Sequence, residues 1–329
     1  LVLAEAEGLA RRFNTVYDRL SEQNSFTNKQ MSAVTDQVNR LAGSIGSLNE
    51  AIAIAAANGK QPNDLLDARD EAVRQLSGYI GVTVVPQDDS SFNVFIGSGQ
   101  PLVVGSTVAK LEVVPGQGDP NRHEVQFISG GSRQGITSQI TGGELGGLIR
   151  YREEVLDSTM NSLGRLSLAV SDQVNTQLGQ GLDLKGNVGV DLFKDINSAD
   201  LVDKRSFPTG IDVSITDASK LTASDYQVEF VSAGTFRIRP SGGAWLAGTH
   251  PVDSPIAELG FSISVPADPS VTSYTVMPTR RAASGIAIDL DQADQLAFAA
   301  PMRAESELQN GGTGVIGQPD LIAGPSPID

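Results

Sequence analysis

Two charged phrases hold the side chains most able to do chemistry. The first, NDLLDARDEAVRQLS, occupies residues 63 to 77, and the second, GGLIRYREEVLDSTM, runs from Gly146 to Met160. In each, a pair of large aliphatics (Leu65 and Leu66, then Leu148 and Ile149) is followed three residues on by an arginine and then by acids: Arg69, Asp70 and Glu71, then Arg152, Glu153 and Glu154. Glu153 and Asp157, four residues apart on a helix, have the spacing of an acid/base pair. Mixed Arg and Glu on a helix surface is more ordinarily a solvated or ion-paired face, and that reading is preferred. Two helices packed through their aliphatic pairs leave Arg69 and Arg152 able to reach acids on the facing helix or on a neighbouring subunit. The candidate interhelical or subunit contacts are therefore Arg69, Asp70, Arg74, Arg152 and Glu153. An exposed ion pair contributes only about 0–1 kcal/mol, so such contacts set register more than stability.

Other reactive constellations are incomplete. His123 and His250 lie far apart, and neither has a second histidine at metal-ligand spacing. The glycine-rich stretches SGGS, TGGELGG and PSGGA are not followed by Lys-Ser/Thr, so a phosphate-cradling loop lacks its cation; they read as turns and helix starts. DLKGNVGVD has a calcium-loop flavour, but the ligand alternation fails at Lys185 and no bidentate Glu follows, which leaves a structural turn. No metal, no cofactor and no enzymatic activity are expected.

The formal net charge of -15 opposes phosphate backbones and anionic lipid, and no Lys/Arg cluster offsets it locally, so neither nucleic acid nor a membrane is an expected partner. Cysteine is absent, which removes disulfides, thiolate nucleophiles and Cys-type zinc sites together. No run of eighteen apolar residues exists, the longest candidate being AIAIAAA at 51 to 57. The start, LVLAEAEGLARRF, lacks a basic n-region and passes straight into helical periodicity, and the Gly- and Pro-rich end reads as a linker; both are expected of a fragment.

The elements that must position these residues follow from apolar spacing. Met31, Val34, Val38, Leu41, Ile45, Leu48, Ile52 and Ala55 alternate three and four steps, a heptad seam. Leu9, Phe13, Val16 and Leu20 keep the same rhythm, and the longer step from Leu20 to Met31 has the size of a stutter. One helix is expected from about residue 3 to 57, about 80 Å long at 1.5 Å per residue, stopped by Asn58-Gly59 and Pro62. A second follows, capped by Asn63 or Asp64, with Leu66, Val73, Leu76 and Ile80 as its buried face. Period two takes over in VTVVP, FNVFIG, PLVVG, AKLEVV and HEVQFI. Helical period returns from Gly143 to Leu178, after which GIDVSI, YQVEFV, TFRIR, FSIS and SYTVM alternate again. DLDQADQLAFAAPMR fits either a short amphipathic helix or an extended return. The fold class is α+β and multidomain: a long-helix antiparallel bundle (1–80 and 140–190), a small β insertion (81–139), an antiparallel β domain (195–305) and a linker or truncated tail (306–329).

The long heptad helix followed in order by NDLLDARDEAVRQLS, GGELGGLIRYREEVLD, LDLKGNVGVDLF and MPTRRAASGIAI resembles the family of bacterial flagellar hook-associated protein 1. The resemblance covers about residues 1 to 305. It implies a structural axial subunit at the junction between hook and filament, exported by the flagellar type III apparatus. It also implies as partners the flagellar hook protein, the second junction hook-associated protein and copies of itself in a ring. The family's terminal helical segments, which pair in the inner tube and meet an export chaperone, are expected outside this sequence. A secreted adhesin or carbohydrate-acting β protein on a coiled-coil stalk is the alternative.

Overall fold

The computed structural model describes residues 1–299. Helix α1 (Val2–Ala57) is one uninterrupted element. It ends where Gly59, at φ 73°, donates its N–H to the Ala56 carbonyl and Lys60 donates to that of Ala55, a Schellman stop that a side chain at residue 59 would strain. Helix α2 (Asn63–Tyr79) follows, and neither Asn63 nor Asp64 caps it through a side chain. Asn63 already lies in the first turn, so the Pro62 carbonyl takes the first helical bond, from Leu66, at 3.0 Å. Strands β1 (Val82–Pro86), β2 (Phe92–Ile96), β3 (Gln100–Val104) and β4 (Thr107–Val108) form one antiparallel sheet in sequence order. A second sheet holds β5 (Lys110–Val114), β6 (Glu124–Ser129) and β7 (Ser132–Gly135), again in order. The single third helix expected from the spacing is instead α3 (Gly143–Tyr151), a π-helical segment (Arg152–Asp157) and α4 (Ser158–Gly179).

After α4 come the one-turn α5 (Ala199–Val202), then β8 (Ser206–Phe207), β9 (Val213–Ile215), β10 (Tyr226–Ser232), β11 (Thr235–Pro240), β12 (His250–Pro251), β13 (Phe261–Ile263), β14 (Ser273–Val276) and the short α6 (Ala282–Gly285). Five of these strands form a sheet in the order β12-β11-β10-β14-β8, and β13 pairs with β9, all antiparallel. Of the two readings of DLDQADQLAFAAPMR, the extended return holds as far as Ala299, which bridges Leu182; only Ala293–Gln295 coil, as a 3-10 turn. The last residues of the expected β domain, 300–305, and the expected tail, 306–329, lie outside the described residues.

The compact units do not follow element type. One is Leu20–Ser158; the other joins Leu1–Arg19 to the chain from Thr159, so α1 belongs to both. In the first unit, Met31, Val38 and Ile45 of the seam are fully buried against Leu76, Ile80, Leu145 and the sheet residues Val94, Leu102 and Val125. Each such side chain contributes about 1.5–3 kcal/mol by leaving water. In the second unit, Val228, Phe236, Ile238, Phe261 and Tyr274 fill the sheet core, while Ala10 and Phe13 of α1 pack with Leu178, Phe193 and Ile286. Val16, expected on the seam, is exposed at 40%; Leu9 and Phe13 keep their expected places, joined by Ala6, Ala10 and Tyr17. Across the stutter the seam is polar, with Thr27 and Asn28 buried.

Candidate functional site

Arg69 and Arg152 are as buried as the apolar members of their phrases. Arg69 falls on α2 at the position that continues the stripe of Val73, Leu76 and Ile80, and only 3% of it is exposed. Its Nη1 donates to Asn49 Oδ1 on α1 at 3.0 Å and to the Ser90 carbonyl at 2.6 Å, while its guanidinium lies 3.6 Å from the centre of the Phe92 ring. Burial lowers its pKa, and the neighbouring Asp70 partly restores it. Arg152, 1% exposed, opens the π-helical segment; Nη1 donates to the His123 carbonyl and sits 3.6 Å from the Met31 sulfur. Burial together with the charge of Arg122 pushes Arg152 down to about 10, against the opposing pull of Asp157, Glu153 and Glu124. Both cations therefore meet neutral oxygens where acids were expected. A guanidinium carries five donors on a long apolar stem, so it can lie within a helix stripe and spend its N–H groups on carbonyls of adjoining loops.

The other three candidates are exposed. Asp70 makes no ion pair across to another helix among the described residues. Arg74 pairs at 2.6 Å with Glu71 on its own helix. Glu153 meets Arg122 of the β5–β6 loop at 3.1 Å, and Asp157 approaches the same guanidinium at 3.4 Å. The two carboxylates with acid/base spacing are thus both engaged by one arginine.

Asn49 holds this arrangement together, and no apolar spacing announces it. Its amide donates to the carbonyls of Phe92 and Gly105, both at 2.8 Å; its oxygen accepts from the Phe92 N–H and from Arg69, both at 3.0 Å. An amide has two donors and two acceptor lone pairs, and all four are used. Ten residues earlier, Asn39 accepts the N–H of Leu111 and donates to its carbonyl, both at 2.8 Å, closing the free edge of β5 as a neighbouring strand would. Asn28 donates to the Asn121 carbonyl at 2.8 Å and accepts from the His123 N–H at 3.3 Å. The signal was a recurrence of asparagine after eleven residues, which is close to three whole helical turns, and then after ten, which falls roughly 80° short of three.

Remaining constellations resolve into structure. Among the described residues no three His, Cys, Asp or Glu side chains are placed to hold a metal, and no helix is long and apolar enough to cross a membrane. Asp183 of DLKGNVGVD accepts the backbone N–H groups of Lys185 and Asn187, each at 2.8 Å, and so closes a turn. Trp245, the only tryptophan in the sequence, lies 4.0 Å from the guanidinium of Arg237 and 4.5 Å from that of Arg239, so its ring is engaged within the chain rather than offered to a sugar.

Hydrogen bonds from Arg74, then Gln75, hold the Glu71 carboxyl down to about 2. Its contribution is present above the ordinary carboxylate range and is lost as pH falls toward 2. Arg74→Ala is expected to raise the Glu71 midpoint in a 13C-detected NMR titration; an unmoved midpoint would show that Arg74 is not its cause.

The family described as the flagellar hook-associated protein FlgK helical domain matches residues 1–193. Flagellar hook-associated protein 1 of Escherichia coli K12 is 32% identical over 317 residues, covering 94% of this chain and 58% of its own length. The Salmonella typhimurium protein of the same name is 28% identical, with 94% and 57% covered. The flagellar hook junction protein FlgK from Burkholderia pseudomallei is similar in structure, with a TM-score of 0.80 at 31% identity over 96% of this chain and 58% of that one. The chain thus spans somewhat over half the length of these relatives.

Proposed function

The chain belongs to the flagellar hook-associated protein FlgK family, and on that premise we propose that it is a structural, non-enzymatic subunit of the bacterial flagellum at the junction between hook and filament. The likeness in structure to a flagellar hook junction protein over 96% of the chain carries this reading. Its partners in this proposal are the hook protein, the second junction hook-associated protein and copies of itself in a ring, with an export chaperone acting on a segment beyond this sequence. Its place is extracellular, reached through the flagellar type III apparatus.

The interior supports an assembly role. Buried arginines and saturated asparagines fix the first unit, and Arg74 and Glu153 are spent on Glu71 and Arg122, which leaves Asp70 available for contacts between subunits, where charge complementarity selects partner and register.

Immunogold labelling of isolated hook-basal bodies is expected to place the protein at the distal end of the hook, and deletion to abolish swimming. Labelling elsewhere, with swimming retained and surface attachment lost, would replace this reading with that of an adhesin.

A further inference from the structure

The second unit contains a cleft of about 250 Å³ whose charge is opposite to that of the chain. Among its lining residues Lys194 is paired with Asp200, which leaves Lys204, Arg205 and Arg281. Lys204 is exposed and Arg281 half-buried, and neither has an acid partner among the described residues. Arg205 is 7% exposed; its N–H groups go to the carbonyls of Val213 and Ile196 and to Asn197, all neutral. Ser171, 3% exposed, lines the same cleft, and no hydrogen bond of its hydroxyl is formed within the described residues. Two cations without an acid partner beside the buried Arg205 make a site for carboxylate oxygens, and the volume admits side chains rather than a helix.

The chain supplies matching acids. On α2, Asp64, Asp67 and Asp70 are exposed, form no ion pair among the described residues and lie three residues apart, so they form one stripe rising about 4.5 Å per step. The stripe lies in the first unit and the cleft in the second.

We propose that the Lys204–Arg205–Arg281 cleft of one copy receives the Asp64–Asp67–Asp70 stripe of a second copy of this chain. Where one copy's cleft takes the stripe of a second copy and that copy's cleft takes the stripe of a third, the contact is heterologous, and repeating it yields a ring or an open helix. This names a surface for the self-assembly included in the proposed function and rests on that reading.

The absence of cysteine allows a direct test. The full chain carrying Asp67→Cys is mixed with the full chain carrying Lys204→Cys and treated with a short bismaleimide. The mixed dimer is expected to form at least five-fold faster than with Asp88→Cys, an exposed acid outside the stripe, in place of Asp67→Cys. Adding Arg281→Glu to the cleft partner is expected to remove that excess, and Asp70→Arg in the stripe partner to restore it. Equal rates for both pairings, no dimer, or indifference to Arg281→Glu would overturn the proposal. So would titration with acetate or phosphate that shifts the Arg281 NMR signals without cross-linking, which would mark a small-anion site. Hook labelling is scored separately: labelling without cross-links removes this inference alone, whereas missing labelling removes the junction reading.

Discussion

Asn49→Ala is expected to destabilise the Leu20–Ser158 unit by about 3–5 kcal/mol. The substitution removes four hydrogen bonds and leaves behind the Phe92 N–H, two carbonyls and part of the Arg69 guanidinium, in a place where Asn49 itself is 1% exposed. Each lost bond is worth about 1 kcal/mol, and each stranded buried group costs about 1–3 kcal/mol where water cannot reach it. Urea unfolding gives the magnitude, and hydrogen exchange at the Phe92 amide locates it. Asn24→Ala is the control: its bond to the Asn121 carbonyl is exposed, and the loss should stay below about 1 kcal/mol. A cost for Asn49→Ala no larger than the control's would show that water or rearrangement replaces the clamp.

Gly164→Ala should be damaging for a different reason. A Cβ built on Gly164 of α4 would stand 1.7 Å from the Thr279 carbonyl oxygen and 2.7 Å from its carbon. Both are backbone atoms, so the helix and the 277–281 segment would have to separate, at more than about 3 kcal/mol. Gly43→Ala is the matched contrast, since nothing lies within 4 Å of its Cβ position; in the interior of α1 the change should stabilise by about 0.5–1 kcal/mol. Paired thermal melts decide the matter. Equal and small shifts for the two variants would mean that the approach of α4 to Thr279 is looser than described.

Most of the architecture was legible in the spacing of apolar residues. Period three-four marked α1 to within a residue at either end, and alternation marked the longer strands, because a buried stripe and a pleated face each impose one repeat. The two-residue strands β4, β8 and β12 are too short to show an alternation, and β7 is exposed throughout. The burial of the arginines was masked by their charge. Arg69 stands between Leu66 and Val73, and Arg152 between Ile149 and Leu156, on stripes whose burial the neighbours already announced. A charged side chain there was read as a partner for acids on a facing helix or subunit, although carbonyls from adjoining loops can solvate a guanidinium. Asn49 was harder to find, because the value of its amide depends on four partners spread over α2, β2 and the β3–β4 turn, which only the folded chain brings together. The division between the units was not legible at all, since it cuts α1 between Arg19 and Leu20 inside an unbroken helical pattern.

That cut has a kinetic meaning. One unit is a continuous stretch of chain, whereas the other needs Leu1–Arg19 to find partners such as Leu178 and Ile286 that are synthesised long afterwards. Closing so long a loop costs entropy before any contact repays it, and prior collapse of the intervening residues shortens the loop. The continuous stretch is therefore the natural first step of folding, and the split unit waits for the arrival of α4 and everything after it.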